Sequence, residues 1–289
     1  MAKGASAVLG SAFLFALLPV FLRLAYAAGA NPYCLMAART AMASLAMAAL
    51  CLLTGRSLLP HRAALGPVAL ACTAYSAMSL CFNLACSEME AGPVNALFHL
   101  SPIFVLTCAV AGHKQSLDRC TTCAGALAAI GCLALSASFS GGLPTSGVLL
   151  ALGAAILSAA YTLAVASPKL GTVDALVLTF YVCATSCCTS LVVGAINHDT
   201  PLDLSPQALI WASLAALLST AAAMSLFVYG TRKTGAIASS VLSNTEVIFT
   251  PLASGALLQE TTGIVALMSY GVIAAACILA TLPPKDRPS

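Results

Sequence analysis

Charged residues are scarce in this sequence: they make up 7% of its 289 residues, whereas apolar residues make up 60%. A soluble domain carries about 25% charged residues, so this chain cannot cover a surface that faces water. The net charge of +3 is too small, and the basic residues are too scattered, for electrostatic capture of nucleic acid. The composition therefore excludes a soluble enzyme, a disordered chain and a nucleic-acid-binding protein, and it indicates a polytopic membrane protein.

Catalytic and metal-binding motifs are missing as well. The sequence contains no HExxH or GxSxG pattern and no aspartate pair within its apolar segments. Nearly all of the 13 cysteines lie inside apolar segments, where a thiol behaves as a small apolar group. The one metal-like spacing, Cys120 and Cys123 after His113, has no second cysteine pair to complete a tetrahedral site. We therefore expect no enzymatic activity, no metal and no cofactor.

Ten apolar segments are long enough to cross a bilayer, for which a helix needs about 20 residues. Short polar or turn-forming stretches separate them, and none of these loops is long enough to form a soluble domain. The sequence thus predicts an all-α polytopic membrane protein with ten transmembrane helices. The predicted segments are residues 5–28, 32–53, 64–86, 91–111, 120–138, 146–167, 173–196, 206–230, 236–258 and 263–282.

The distribution of Lys and Arg predicts the orientation, because cytoplasmic loops are enriched in both. If the N-terminus is cytoplasmic, the cytoplasmic side holds ten basic residues and the external loops hold none, so both termini are predicted to be cytoplasmic. A cleaved signal peptide ending near Ala27 is disfavoured, since its apolar run is too long and Arg23 interrupts its end. The ten basic residues are Lys3, Arg56, Arg62, Lys114, Arg119, Lys169, Arg232, Lys233, Lys285 and Arg287. The external acidic residues are Glu88, Glu90, Asp199, Asp203 and Glu260.

The two halves of the chain show a weak internal repeat. A shift of 145 residues aligns 82–111 with 227–256, and six of those 30 aligned positions are identical. Each half has five segments, and because five is odd the second half must enter the membrane inverted relative to the first. We predict two inverted repeats, residues 1–139 and 140–289. Inverted repeats are found in many secondary transporters, whose binding sites lie near the bilayer midplane.

Two segments carry a resemblance to a known family. They are AGPVNALFHLSPIFV at 91–105 and TGAIASSVLSNTEVIFTPL at 234–252. With its size and five-plus-five topology, the whole chain resembles the drug/metabolite transporter superfamily, in its ten-helix EamA-type branch. It departs from the family at Val247, where a Pro often follows the Glu, and at His113, where a Glu is usual. The resemblance implies a transporter that moves amino acids, other metabolites or drugs, often outward, in a bacterial inner membrane.

Arg39 lies about 10 Å inside the membrane in the second segment. A charged residue at the centre of a helix costs about 2.5–3.5 kcal/mol to insert, so some group must compensate it. One interpretation is that its forked donors bind a substrate carboxylate. The other is a structural pair with a helix end or with Glu246.

Glu246 is the only acidic residue that we place in mid-membrane. A buried carboxyl without a partner readily takes up a proton, so Glu246 is a candidate proton carrier or a ligand for a substrate amine. Paired with Arg39, it would instead serve structure. His99 lies on one helix face with Asn95, and histidine titrates near physiological pH, although a buried His is also a common hydrogen-bonding core residue. The repeat maps His99 onto Asn244, which is again polar.

Polar stripes at helical spacing run along the third, sixth and ninth segments. They predict a shared water-accessible cavity, although Ser and Thr also join membrane helices without any pore. The stripes are Cys72, Ser76, Ser79, Asn83 and Cys86; Ser158, Tyr161 and Thr162; and Ser239, Ser243, Glu246 and Thr250. The predicted substrate-binding residues are Arg39, Asn83, Asn95, His99, Tyr161, Asn244 and Glu246, of which Glu246 and His99 are the proton-coupling candidates.

These features together predict a secondary transporter of a small polar metabolite such as an amino acid, working by alternating access and expected to export. Its expected partners are the small-molecule substrate, the lipid bilayer and, where transport is coupled, protons. The alternative is a passive facilitator or multidrug exporter that uses the same cavity without obligatory ion coupling. The sequence leaves the substrate, the coupling ion and the assembly open, a homodimer included.

Overall fold

Helices form every regular element among the residues that the computed structural model describes, which are 2–89, 91–112, 119–137, 144–198, 204–258 and 263–281. The helices of the first half are α1 (Ala2–Ala16), α2 (Leu18–Ala27), α3 (Pro32–Leu53), α4 (Leu65–Glu88), α5 (Ala91–Phe98), α6 (Ser101–Gly112) and α7 (Arg119–Ala137). Those of the second half are α8 (Thr145–Ala166), α9 (Ala175–Ile196), α10 (Pro206–Ala216), α11 (Ala223–Thr234), α12 (Ala236–Ser243), α13 (Glu246–Leu258) and α14 (Ile264–Thr281). A π-helical segment, Leu217–Ala222, joins α10 to α11.

Each of the ten predicted segments is occupied by one helix or by successive helical pieces, so the prediction of an all-helical membrane protein is confirmed. By length and composition, six helical stretches within the described ranges could cross a membrane; ten crossings and cytoplasmic termini stay predictions. The six stretches are Lys3–Ala27, Pro32–Leu53, Arg62–Glu88, Thr145–Ala166, Ala175–Ile196 and Pro206–Thr234. Of the residues cited above, Glu90, His113, Lys114, Asp199, Asp203, Glu260, Lys285 and Arg287 lie outside the described ranges.

Polar residues directly before the long helices set where these begin. Asn31 precedes Pro32, and its side chain accepts a hydrogen bond from the backbone N–H of Tyr33 at 2.9 Å. Ser205 precedes Pro206 in the same way and accepts from the N–H of Ala208 at 3.2 Å. A capping oxygen satisfies a free N–H of the first turn, and Pro at the first position costs no hydrogen bond.

Three of the predicted segments are broken by a turn: at Leu17, at His99–Leu100 and at Asn244–Thr245. Pro19 and Pro102 each lie in the first turn of the helix that follows a break, where their missing N–H leaves no partner unpaired. Proline therefore marks the first two breaks. It does not mark the third, because Pro251 lies well inside α13.

The contacts between helices reflect the repeat. The most extensive ones join α3 to α9, α4 to α8, α7 to α14 and α1 to α11. The repeat equates α1 with α8, α3 with α9, α4 with α10–α11, and α7 with α14. Exchanging the two halves therefore maps each of these contacts onto itself or onto another of the four, as a pseudo-twofold relation between the halves requires.

Large apolar side chains cover the outside of the helices. Leu45 and Leu52 on α3 are 71% and 68% exposed, and Leu149 and Ile156 on α8 are exposed as well. Polar side chains, by contrast, are buried between the helices, among them Ser11, Thr40 and Ser190. Soluble proteins show the opposite distribution, with polar side chains outside and apolar ones inside. The distribution here fits a protein that is surrounded by lipid.

Candidate functional site

A central cavity of about 80 Å³ lies between the two halves, close to the breaks in the α5–α6 and α12–α13 segments. Of the predicted site residues, His99, Tyr161 and Glu246 line it. Arg39, Asn83, Asn95 and Asn244 are buried but are not among the described residues of the lining. The lining residues are Phe15, Leu18, Tyr75, Met78, Ser79, Phe82, Phe98, His99, Ser101, Ser158, Tyr161, Thr162, Phe227, Ser243 and Glu246.

The two broken segments meet at their breaks. Nδ1 of His99 lies 3.1 Å from Oδ1 of Asn244, and the amide of Asn244 donates to the backbone carbonyl of His99 at 3.2 Å. A turn later, the amide of Asn95 donates to the hydroxyl of Thr250 at 3.0 Å. A broken helix leaves backbone groups without their usual partners, and these side chains supply some of the replacements.

Glu246 and His99 form the polar end of the cavity. Oε2 of Glu246 lies 3.6 Å from Nε2 of His99, and both side chains are nearly fully buried. Glu246 is also the first residue of α13, where the positive end of the helix dipole favours a carboxylate. The arrangement thus places a carboxylate next to an imidazole in the wall of the cavity.

Arg39 is 1% exposed and is bonded to hydroxyl groups. Its Nη1 donates to Oγ1 of Thr220 at 2.8 Å, and its Nη2 donates to Oγ of Ser79 at 3.1 Å. In the part of the chain that the structure describes, the carboxylate of Glu246 faces the imidazole of His99, and no ion pair joins it to Arg39. The structural pair with Glu246, one of the two interpretations of Arg39, is thus not formed in this conformation.

Asn83 lies one helical turn beyond Ser79 on α4. Its side-chain amide donates to the backbone carbonyl of Ser79 at 2.7 Å, and its backbone carbonyl accepts from the hydroxyl of Tyr26 at 3.5 Å. The Oδ1 atom of Asn83 is buried without a hydrogen-bond partner in the structure. Asn83 therefore lies in a polar path between Tyr26 and Arg39, behind the cavity wall.

The polar stripes contribute to the lining unequally. All three residues of the α8 stripe, Ser158, Tyr161 and Thr162, line the cavity. The α4 stripe contributes Ser79, whereas Ser76 bonds Ser186 of α9 at 3.1 Å. The α12–α13 stripe contributes Ser243 and Glu246, while Thr250 binds Asn95.

Sequence reasoning missed Thr220, the hydroxyl that holds Arg39. It lies in the π-helical segment, where its side chain also donates to the carbonyl of Ala215, five residues earlier, at 2.9 Å. Single π turns within α-helices are frequent at functional sites. The segment LLSTAA contains neither Gly nor Pro, so the polar pair Ser219–Thr220 was the only available signal.

A second, open cleft of about 290 Å³ lies at the start of α3. Arg23 lines it, together with Tyr26, Ala30, Pro32, Cys86 and Ser87. At the other end of α3, roughly 33 Å away at 1.5 Å per residue, two polar contacts join the halves. There Arg56 pairs with Asp174, and the carbonyl of Leu58 accepts from the hydroxyl of Tyr181 at 2.9 Å.

A helical membrane protein built from two related halves around a partly polar cavity is the architecture of a membrane transporter. The sequence profile of the EamA-like transporter family matches residues 2–137 and matches again at residues 145–282. The chain therefore belongs to the EamA-like transporter family, as its resemblance predicted, and consists of two repeats. It is a multi-pass membrane protein, and its partners include the bilayer and a small molecule.

The fold is also found in a solved crystal structure. That structure has a TM-score of 0.83 and 14% sequence identity, and the match covers 97% of each chain. The structural match establishes the fold, and at so low a sequence identity it carries no information on the substrate. The comparison with curated proteins gave no match.

Proposed function

We propose that this protein is a secondary transporter of a small polar metabolite such as an amino acid, and that it works by alternating access around the central cavity. The observation that supports this most is the position of the cavity, which lies where the broken segments of the two repeats meet and has Glu246 and His99 in its wall. Discontinuous helices that meet between repeats are how many transporters build a substrate site at mid-membrane.

The proposed topology is ten transmembrane helices in two inverted repeats, with both termini in the cytoplasm of a cell whose inner membrane holds the protein. In that orientation the Arg56–Asp174 contact closes the cytoplasmic end, and the cleft beside Arg23 opens to the outside. If the halves rocked against each other, the Arg56–Asp174 contact would break and the cleft beside Arg23 would close. The proposed direction of transport is export.

Within the cavity, we assign Glu246 and His99 to substrate contact and to proton coupling. Their side chains are 3.6 Å apart, so a proton bound to one changes the charge that the substrate meets. The other ionisable groups nearby are Tyr75 and Tyr161 in the lining and Arg39 behind Ser79. Tyr161 is assigned a lining role, while Asn83, Asn95 and Asn244 hold the surrounding helices.

Arg39 retains its proposed role as the ligand of a substrate carboxylate in a conformation other than this one. Here Thr220 and Ser79 occupy both terminal nitrogens of its guanidinium, and only Nε is buried without a partner. A carboxylate would have to replace the hydroxyl of Ser79, which lines the cavity. Arg39 can therefore act only after a local rearrangement.

The test is flux in vesicles that contain the purified protein, with a set of labelled amino acids and amines and an imposed pH gradient. We expect saturable flux that responds to the gradient, loss of the response in Glu246→Gln, and a weakened response in His99→Asn. The control is Glu88→Gln, which removes an exposed carboxylate that bonds Ser146 away from the cavity.

Three results would count against this proposal. Saturable flux without any response to the pH gradient would show that transport is not coupled to protons. Flux that neither saturates nor responds would instead identify a passive facilitator, while saturable export of many unrelated drugs without coupling would identify a multidrug exporter.

A further inference from the structure

Aromatic side chains are concentrated around the central cavity. They make up 6% of the chain, yet they are six of the fifteen described residues that line the cavity. Four of the six come from the first half and two from the second, so the concentration is built from both repeats. The six are Phe15, Tyr75, Phe82, Phe98, Tyr161 and Phe227.

The rings hold one another in place. Tyr161 packs edge-on against Tyr75, with ring centroids 5.2 Å apart, and is stacked at 17° on Phe227 at 6.2 Å. On the other side Phe82 and Phe98 pack edge to face at 5.1 Å. Offset and edge-on contacts of this kind are the favoured geometries of aromatic pairs. The cavity is thus walled by fixed rings, and a cation within about 6 Å of a ring face is attracted to it.

The described lining holds one carboxylate and one imidazole, that of His99. Glu246 is the only carboxylate among the described lining residues, which include no Lys or Arg. Arg39 lies behind Ser79, to which it donates a hydrogen bond. An anion that enters the cavity would therefore meet the carboxylate beside His99 and the rings, and it would reach the guanidinium only after displacing that hydroxyl.

We propose that the cavity selects its substrate by a positively charged amino group, primary or quaternary, carried on an apolar or aromatic body. This inference rests on the proposed function and narrows its substrate class. The carboxylate of Glu246 balances the ammonium charge, and the rings add cation–π attraction while excluding water. A carboxylate on the substrate is not required for binding.

Selection by the amino group can be tested on the wild-type protein with three small molecules that share one carbon skeleton. They are 2-phenylethylamine, 3-phenylpropionate and phenylalanine. A ligand that binds the folded protein alone raises its unfolding temperature, and at equal concentration a tighter ligand raises it more. The expected result is stabilisation by the amine and none by the acid. Stabilisation by the acid, by phenylalanine alone, or by none of the three overturns the inference.

Two pairs of variants locate the binding. Glu246→Gln is expected to weaken binding of 2-phenylethylamine by at least about tenfold, because it removes a charged hydrogen-bonding partner. Glu88→Gln should leave the affinity unchanged. Likewise Phe98→Leu should weaken it, whereas Phe13→Leu, at a side chain that is 52% exposed and outside the cavity, should not. Equal effects within either pair would place the amine elsewhere.

The vesicle assay separates this inference from the proposed function. Saturable transport of anionic or neutral metabolites, without any of amines, would leave the transporter proposal intact and overturn the amine selectivity. Binding of the amine without flux of any tested compound would support the amine selectivity and overturn the transporter proposal.

Discussion

His99 and Asn244, which the shift of 145 residues between the halves aligns with each other, are bound to each other through two contacts. Two equivalent residues can touch only where the axis that relates the halves passes between them. The breaks of α5–α6 and α12–α13 therefore meet at the pseudo-twofold axis, beside Glu246. The polar lining of the cavity is tied to the symmetry of the fold, which explains why a polar side chain recurs at this position.

Replacing Asn244 by Ala removes both contacts and leaves the carbonyl of His99 without its buried donor. We expect a loss of stability of about 1–3 kcal/mol, the cost of unsatisfied buried polar groups. The measurement is the thermal unfolding of the purified protein in detergent. Asn197→Ala is the matched control, because that exposed amide donates only to the carbonyl of Val193, and it should change stability by less than about 0.5 kcal/mol. Equal shifts would contradict the role assigned to Asn244.

Replacing Thr220 by Val keeps the shape of the side chain but removes the hydroxyl that accepts from Arg39. A buried guanidinium would lose one of its two described acceptors, for an expected cost of about 1–3 kcal/mol. Thr220→Ser should restore most of the stability, while Thr73→Val, at an exposed hydroxyl that bonds only the carbonyl of Ala69, should be nearly neutral. Unfolding curves that place Thr220→Val at the wild-type midpoint would show that Arg39 does not depend on this hydroxyl.

Much of the fold could be predicted from the sequence because the bilayer imposes simple requirements. A helix satisfies its own backbone groups in lipid, and its length is set by the membrane, so apolar length alone located each helical segment. Asn31–Pro32 and Ser205–Pro206 then marked helix starts, since a capping oxygen and a following Pro act locally.

The surroundings of the site could be predicted only in part. The repeat indicated that His99 and Asn244 are equivalent, but their contact depends on how the halves pack. Thr220 is 181 residues from Arg39, and no local pattern announces such a pairing. The π-helical segment could not be predicted either, because a run of small and apolar residues fits an ordinary α-helix as well.

Asp174 makes the contact with Arg56 between the halves sensitive to acid. Burial raises the pKa of its carboxyl, but hydrogen bonds from Arg56 and from the N–H of Leu176, with the charges of Arg56 and Arg232, together lower it below its ordinary value of 3.8. Because the pKa is lower in the folded state, the stabilisation is fully present above that ordinary value and is lost as the pH falls through the folded-state pKa.

Two substitutions separate the contributions of Asp174. Asp174→Asn keeps a side chain that can cap α9 but loses the ion pair, which is about 40% exposed and so worth up to about 1 kcal/mol. Asp174→Ala also loses the cap, for about 1 kcal/mol more. The measurement is the unfolding temperature between neutral pH and pH 3, where the difference between wild type and Asp174→Asn should shrink. A constant difference would show that the carboxyl titrates alike in both states.

The close approach of α1 and α11 depends on Gly230. A Cβ atom added there would lie 2.6 Å from Cγ2 of Val8, 2.9 Å from the carbonyl oxygen of Gly4 and 3.0 Å from the backbone nitrogen of Val8. Backbone atoms cannot turn aside, so Gly230→Ala must push two extensively packed helices apart, at an expected cost of about 1–3 kcal/mol. The measurement is again thermal unfolding, combined with vesicle flux, since α11 carries Phe227 into the cavity wall.

Gly153 in α8 provides the matched control for Gly230. An added Cβ would meet nothing within 4 Å there, so Gly153→Ala should gain up to about 1 kcal/mol from helix propensity alone. The two substitutions are chemically identical and both lie within membrane helices, yet we expect opposite signs. If both raised the unfolding temperature, α1 and α11 would not be packed as closely as their glycines require. The contact between the rings of Phe15 and Phe227 in the cavity wall would then have to change with them.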